Sequence, residues 1–384
     1  MNNKDMKNYH EISSTENGTL VRLARFAPAD GGVVEVHAMV SVEPRGDSFA
    51  DQLLRLRAAE TALLTSPMAA GASVVFRRYF LSDATNTAHL LGDDETATCI
   101  QQPPLDGSKV AMWIYMEQGV EARREAGGVA VVEHNGYRQL WQMGRTAAGG
   151  DSATQTRILL EEYEDMLSRH GADIATDCIR TWFHVRAVDT HYAGMVAARK
   201  ANFDANGLTA ETHYVASTGI GGSPADPGEM VQFSALALTG LAPSQRRNLR
   251  ALSHLNKTID YGVTFERGTL VEFGDRGHAY ISGTASIDNR GNVVHLGDIR
   301  RQTLRMWENV EALLAEGGMT LDDTMQIIVY LRDMADYAVV RQMFAEKFPS
   351  TPYVITLAPV CRPQWLIEME CIAIDGRRTP FARF

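Results

Sequence analysis

The sharpest hydrophobic pattern lies between Asp298 and Gly317, where Ile299, Leu304, Trp307, Val310, Leu313 and Leu314 recur near helical spacing. Gly317 and Gly318 end the run, as glycines commonly end helices. An apolar segment, TMQIIVYLRD (324–333), follows and reads as a buried strand. ADYAVVRQMFAEKF (335–348) predicts a second amphipathic helix, stopped by Pro349. WLIEMECIAI (365–374) predicts a closing strand.

The same order of long helix, strand, second helix and last strand occurs twice more. Residues 153–171 predict a helix, CIRTWFHVRAV (178–188) a strand, HYAGMVAARKANF (191–203) a helix and EMVQFSALALTG (229–240) a strand. Further upstream, residues 49–66, 73–83, 86–91 and 109–119 repeat the order with a shortened second helix. Each copy also needs a leading hairpin. Only the third shows one plainly, as VEFGDRGHAYISGTASIDNRGNVV (271–294), with DNRGN as its turn. A repeated order at this period is the mark of fused units, each a sheet with helices on one face. The bare sheet face must be covered, and three units in a ring with sheets inward and helices outward would cover it. The expected divisions are 1–130, 131–245 and 246–384. Three independent α+β domains are the alternative, disfavoured by short connections that are not Gly/Ser-rich.

Composition narrows the function. The chain has 384 residues, 45% of them hydrophobic, and a net charge of −10, which argues against non-specific nucleic-acid binding. An anionic ligand would need locally placed arginines. Cys99, Cys178, Cys361 and Cys371 form no CxxC pair and no zinc-type cluster, so free thiols in a cytoplasmic setting are expected. No apolar run reaches the ~18 residues of a membrane span, and the polar stretch 1–18 lacks a signal-peptide core. The eleven histidines show no metal-enzyme spacing, and no motif for a redox cofactor occurs, so no cofactor is expected.

The closing strand carries the candidate chemistry. Side chains alternate along a strand, so Ile367, Met369 and Cys371 share one face, and Glu368, Glu370 and Ile372 the other. In the repeat pattern Glu368 and Glu370 fall opposite Met112 and Ile114 in the first copy, and opposite Gln232 and Ser234 in the second. Acids in one copy of three suggest one working cleft. A carboxyl buried there would have a raised pKa and serve as a general acid near neutral pH. The plainer alternative is a structural glutamate tied to an arginine. Cys361 precedes this strand and reads as a small buried residue or a pocket wall; Gly283 as room beside the strand or a bulge. Ser217, Thr218 and Gly219 open a hydroxyl- and glycine-rich loop, STGIGG, able to cradle a carboxylate. Arg267 is a candidate carboxylate fork with Tyr261 as a nearby donor, or else a surface arginine and a packed tyrosine. Arg180 and Arg332 read as structural ion-pair members, while Arg362 is left open.

ISGTASIDNRGNVVHLGDI, the helix after it, VYLRD and the LIEMECIAI ending give the third copy, from Tyr280 to Ile374, a resemblance to the YjgF/RidA family. Members of that family are usually homotrimers with clefts between subunits, so the resemblance implies a pseudo-trimer within one chain. Its deaminases use an arginine soon after the second helix; here that stretch is STPYVITL, with Tyr353 in the arginine's place. RTWFHV, YVASTGIGG, DYGVTFERGT, YISGTASI and Cys361 seven residues before Glu368 resemble the chorismatase branch, from Gln139 to Ile374. The glycine of ISGTA and the cysteine are similar to the subgroup that forms 3-hydroxybenzoate and pyruvate from chorismate. That resemblance implies Glu368 as the acid that protonates the enol ether, Cys361 as a residue steering the intermediate, and a small anionic metabolite as partner. A RidA-like imine deaminase and a non-catalytic metabolite-binding protein are the alternatives; the ribonuclease or translation-inhibitor names attached to the family find no support in the acidic charge.

Overall fold

The computed structural model describes residues 6–384, apart from the side chain of Tyr261. The first unit comprises β1 (Lys7–Ser14), β2 (Thr19–Phe26), β3 (Val34–Val42), α1 (Phe49–Thr65), β4 (Ser73–Leu81), the short α2 (Ala84–Thr87), β5 (Ala97–Gln101) and β6 (Val110–Gln118). The second has β7 (Ala122–Glu125), β8 (Val129–His134), β9 (Tyr137–Thr146), α3 (Ser152–Arg169), β10 (Cys178–Val185), α4 (Val188–Ala205), β11 (Ala216–Gly221) and β12 (Val231–Thr239). The third has β13 (Arg246–Leu249), β14 (Gly268–Glu272), β15 (Arg276–Ala285), α5 (Ile299–Glu316), β16 (Thr324–Leu331), α6 (Tyr337–Lys347), β17 (Tyr353–Leu357) and β18 (Ile367–Gly376).

Three six-stranded sheets share one topology. Each starts as an antiparallel meander, its last strand lies against the third, and the strand between the helices joins the other side, followed by a short parallel edge strand: β1-β2-β3-β6-β4-β5, β7-β8-β9-β12-β10-β11 and β13-β14-β15-β18-β16-β17. The sheet changes between Gln118 and Ala122, ahead of the division expected at 130, so β7 and all of β8 belong to the second unit. All three units carry the leading hairpin. In the third, its turn is Phe273–Asp275 between β14 and β15; DNRGN instead closes a later excursion pinned by a single Ile287–Val293 bridge. STGIGG is not a loop: Ala216–Gly221 is the edge strand β11, parallel to β10.

Alternation along the last strands sets the layers. In β6, Val110, Met112, Ile114 and Met116 pack under α1 with Leu53, Leu56 and Leu63. Ala111, Trp113 and Tyr115 point the other way into a core shared by all three units. In the second unit Phe233 and Ala235 pack with Leu159, Leu160 and Tyr163 of α3, while Leu236 and Leu238 face inward. Sheets therefore face inward and helices outward. Aromatic rings fill the junction: Phe76 meets Trp113 edge-on at 4.8 Å and Trp141 at 5.2 Å, and Trp141 stacks with Trp182 at 6.5 Å. On α5 the buried stripe runs through Gln302, Thr303, Met306, Trp307, Val310, Leu313 and Leu314. Leu304, expected on that stripe, is about half exposed because it sits a step off the 3.6-residue period.

A bulge in each sheet, at Val74/Phe76, Cys178/Arg180 and Thr324/Gln326, fixes a common register. It stacks three layers toward the ring's centre: Phe76, Arg180 and Gln326; then Arg78, Trp182 and Ile328; then Phe80, His184 and Tyr330. Glu368 and Glu370 pair with Tyr330 and Ile328, and their counterparts are Gln232 and Ser234 in β12, as expected. In β6, however, the counterparts are Ala111 and Trp113, not Met112 and Ile114. The expected pairing is off by one residue in this unit, which on a strand moves a position to the opposite face.

The inward aromatics make the units depend on one another. Trp141→Ala should cost about 3–5 kcal/mol, read as a lowered urea midpoint. A loss under about 1 kcal/mol would place Trp141 outside the shared core.

Candidate active site

β11 is an open edge of the second sheet, and the third unit closes it. Ser217 N donates to Ser282 Oγ at 2.9 Å and Gly221 N to Pro359 O at 2.9 Å, while Ile220 and Ala216 bridge to Val360 and Glu266. Two amides of STGIGG, those of Ser217 and Gly221, thus help to hold the two units together. The side chains at this seam, with those of β15 and β18, line a narrow pocket. Ser217, Thr218, Gly219, Arg267, Gly283, Cys361 and Glu368 all line it. Tyr261, also expected here, has a side chain that lies outside the described residues.

The two carboxylates of β18 have opposite surroundings. Glu370 is fully engaged: Arg180 Nη2 donates to Oε2 at 2.8 Å, Trp182 Nε1 to Oε1 at 2.8 Å, and the Thr218 hydroxyl to Oε2 at 2.5 Å. All three partners come from the second unit. Thr218 Oγ in turn accepts from Arg180 and from Gly283 N at 2.8 Å, so this cluster also fixes the backbone beside the pocket. Glu370 is therefore the arginine-tied structural glutamate. Glu368 is 5% exposed, and among the described residues its carboxyl has no hydrogen bond. Burial, reinforced by the negative Glu370, pushes its pKa up to about 8 against the pull of Arg267 and Arg180. It is an acid that still holds its proton at neutral pH.

Gly283 makes room for that acid. A Cβ built there would lie 2.1 Å from Glu368 Oε1 and 3.1 Å from Thr218 Cγ2. Ser217 Oγ accepts from Thr181 at 2.8 Å and from Arg199 Nη1 at 3.3 Å. Arg267 is buried, not a surface residue, and donates through Nη2 to Asn256 Oδ1 at 3.1 Å. Cys361 lies beside Tyr192; burial and the nearby Glu368 push its thiol up to about 12, which suits a wall and not a nucleophile. Arg332 lies outside the lining: it pairs with Asp189 and donates to Val360 O at 2.7 Å. Arg362 does line the pocket, with its guanidinium 5.5 Å from the Trp365 ring.

Sequence reasoning missed Arg199 and Tyr192, both on α4. Arg199 is 1% exposed, donates to Thr264 Oγ1 at 3.3 Å, and lines the pocket with Tyr192. The signal was present: Tyr192, Met195, Arg199 and Phe203 share one face at steps of three and four, which makes Arg199 an inward arginine. The lining carries three guanidinium groups, Arg199, Arg267 and Arg362, and one carboxyl, Glu368. Such a pocket suits a polyanionic small molecule.

The corresponding seam between the first and second units lacks this equipment. Gly144 takes the place of Gly283, Thr98 that of Thr218 and Gln232 that of Glu368. Gln232 Nε2 donates to Cys99 O at 2.9 Å, and Gly144 N donates to Ser234 Oγ at 2.9 Å, so the polar side chains close the seam. Tyr353 aligns with Ser217 in register and faces the first unit, 5.6 Å from the Arg22 guanidinium.

Comparison with known proteins agrees with this architecture. Residues 271–375 match the family described as endoribonuclease L-PSP. A RutC family protein of Pyrococcus abyssi is 35% identical over 96 residues, 24% of this chain and 76% of that protein. The 3-aminoacrylate deaminase RutC of Acinetobacter baylyi is 35% identical over 97 residues, again 24% and 76%. A chorismatase crystal structure is similar over 80% of this chain and 96% of its own, with a TM-score of 0.63 and 20% identity, a likeness of fold. The chain belongs to the RutC-containing YjgF/RidA superfamily.

The raised pKa has a consequence for stability. The native state keeps a proton on Glu368 that an ordinary carboxyl, near 4.5, releases. Stability from this group is therefore full below about 4.5 and lost as pH rises through about 8. Melting curves from pH 5 to 9 should show the wild type losing stability relative to Glu368→Gln, by on the order of a few kcal/mol. Parallel curves would mean that Glu368 is already ionised at pH 5.

Proposed function

We propose that this member of the YjgF/RidA superfamily is an enzyme that converts chorismate to 3-hydroxybenzoate and pyruvate, with Glu368 as general acid. The observation that carries the reading is a carboxyl raised to about 8 in a pocket whose other charged groups are arginines. Chorismate has two carboxylates, an enol ether and a ring hydroxyl next to it. Arg267 and Arg199 are the groups for the carboxylates. Glu368 delivers its proton to the terminal methylene carbon of the enol ether. That carbon becomes a methyl group and the neighbouring carbon an oxocarbenium ion, which the ring hydroxyl attacks with loss of its proton to give a cyclic ketal. The bond between that hydroxyl's oxygen and the ring then breaks as the ether-bearing ring carbon loses its proton, which makes the ring aromatic, and the remaining hemiketal collapses to pyruvate and 3-hydroxybenzoate, whose phenol oxygen takes up a proton. The atoms of chorismate equal those of the two products, so no net water is consumed and no redox partner is needed. The likeness to a solved chorismatase supports the reaction class.

Cys361 serves as a wall that steers the intermediate toward the aromatic product, in keeping with its protonated thiol. Gly283 leaves the acid its rotamer. The same proposal places the chain in the cytoplasm. Its four free thiols fit a reducing compartment, and no helix among the described residues is long and apolar enough to cross a membrane. A second reading, enamine deamination, draws on the RutC relatives. Tyr353 where the deaminases have arginine speaks against it.

Purified protein incubated with chorismate should release pyruvate, followed through a coupled dehydrogenase, along with 3-hydroxybenzoate. Glu368→Gln should cut the rate by about 10²-fold or more while the fold is kept. Wild-type rates should fall as pH rises through about 8, where the acid loses its proton. Cys361→Ala should keep pyruvate release and change the product mixture. Full turnover by Glu368→Gln would remove the acid from the mechanism. Ammonia from an enamine, with no pyruvate from chorismate, would favour the deaminase, and neither product would leave a binding protein.

A further inference from the structure

The centre of the ring holds a second polar cluster, separate from the pocket lining. Arg78 from β4, His184 from β10 and Tyr330 from β16 occupy neighbouring inward layers and come from three different units. Each is at most 1% exposed. Among the described residues, Arg78 Nη1 and Nη2, both ring nitrogens of His184 and the Tyr330 hydroxyl have no hydrogen-bond partner. The Arg78 guanidinium lies over two indoles, 5.3 Å from the Trp113 centroid and 5.2 Å from that of Trp182. Nη1 and Nη2 remain available to donate.

The groups sense one another electrostatically. Arg78 lowers the pKa of His184, which burial has already pushed well down, so the ring is neutral. Tyr330 is raised well above its ordinary range by burial and by Glu370, so it keeps its proton and can donate. Arg78 stays charged, since guanidinium groups do not deprotonate in proteins.

The charges in this region do not balance. Arg78 and Arg180 are two buried cations, and Glu370 is one anion already bound by Arg180, Trp182 and Thr218. Glu368, with a pKa raised to about 8, adds no negative charge at neutral pH. The orphaned acceptors nearby, Gln102 Oε1 and Gln326 Oε1, are neutral amides. An uncompensated buried cation costs several kcal/mol, and structures normally balance one. Ordered water could satisfy the hydrogen bonds but would leave the charge.

We infer that the three units close around a small monovalent anion of the halide class, held by the Arg78 guanidinium edge and the Tyr330 hydroxyl with His184 alongside. The anion supplies the missing charge and bonds one residue from each unit. It is a structural ligand, and its presence does not depend on what the pocket at Glu368 binds.

Crystals grown from chloride, measured at a long wavelength where chlorine scatters anomalously, test this on the intact protein. The expected result is an anomalous peak within hydrogen-bond reach of Arg78 Nη and Tyr330 Oη. Arg78→Met should lose that peak. A density feature at this position with no anomalous signal in the wild type would be water and would overturn the inference, as would a peak retained in Arg78→Met. The wild-type measurement stands even if the variant does not fold.

Discussion

One buried guanidinium decides the chemistry of the seam. Arg180 belongs to the second unit, and the carboxylate it bonds, Glu370, belongs to the third. A low-dielectric seam can hold one such pair if hydrogen bonds complete it, and Trp182 and Thr218 do so. Glu368 lies two residues away on the same strand face and makes no such bonds among the described residues. Burial first, and the negative Glu370 beside it second, make the protonated state its favoured one against the pull of Arg267 and Arg180. Two carboxyls of one strand thus have different states because of what the neighbouring unit offers each. The acid exists only because two units meet.

Pseudo-threefold symmetry supplies the frame, and departures from it supply the function. All three sheets need an inward face that can bury against the other two, and aromatic and aliphatic side chains meet that need. At the position of Glu370 the other sheets have Trp113 and Ser234, and at that of Glu368 they have Ala111 and Gln232. Each alternative suits its own seam: the tryptophan packs in the common core, and the glutamine hydrogen-bonds a backbone carbonyl. Polar residues facing inward elsewhere, such as Arg78 and His184, call for their own compensation, which is where the axial anion enters.

Much of this was legible in the sequence, for physical reasons that also explain the gaps. Long amphipathic helices and the alternation of WLIEMECIAI are strong periodic signals, and both gave the right faces. The leading strands of the first two units were harder. β1 (KNYHEISS) is a sheet edge with mostly half-buried positions, and β7 (ARRE) is only four residues long, so neither shows an apolar run. STGIGG looked like a loop because its glycines mark close approach: a Cβ at Gly221 would lie 2.8 Å from Pro359, and one at Gly219 2.9 Å from Tyr192. Arg199 was passed over because arginine on a helix usually faces solvent, and only the tertiary fold turns that face of α4 inward.

The most direct measurement is the titration of the Glu368 carboxyl itself. In protein labelled with ¹³C at the glutamate side-chain carboxyls, the resonance that disappears in Glu368→Gln identifies it. The account predicts a midpoint near 8, well apart from the other glutamates. A midpoint in the ordinary range of about 4–5 would show an ionised carboxylate and would contradict it.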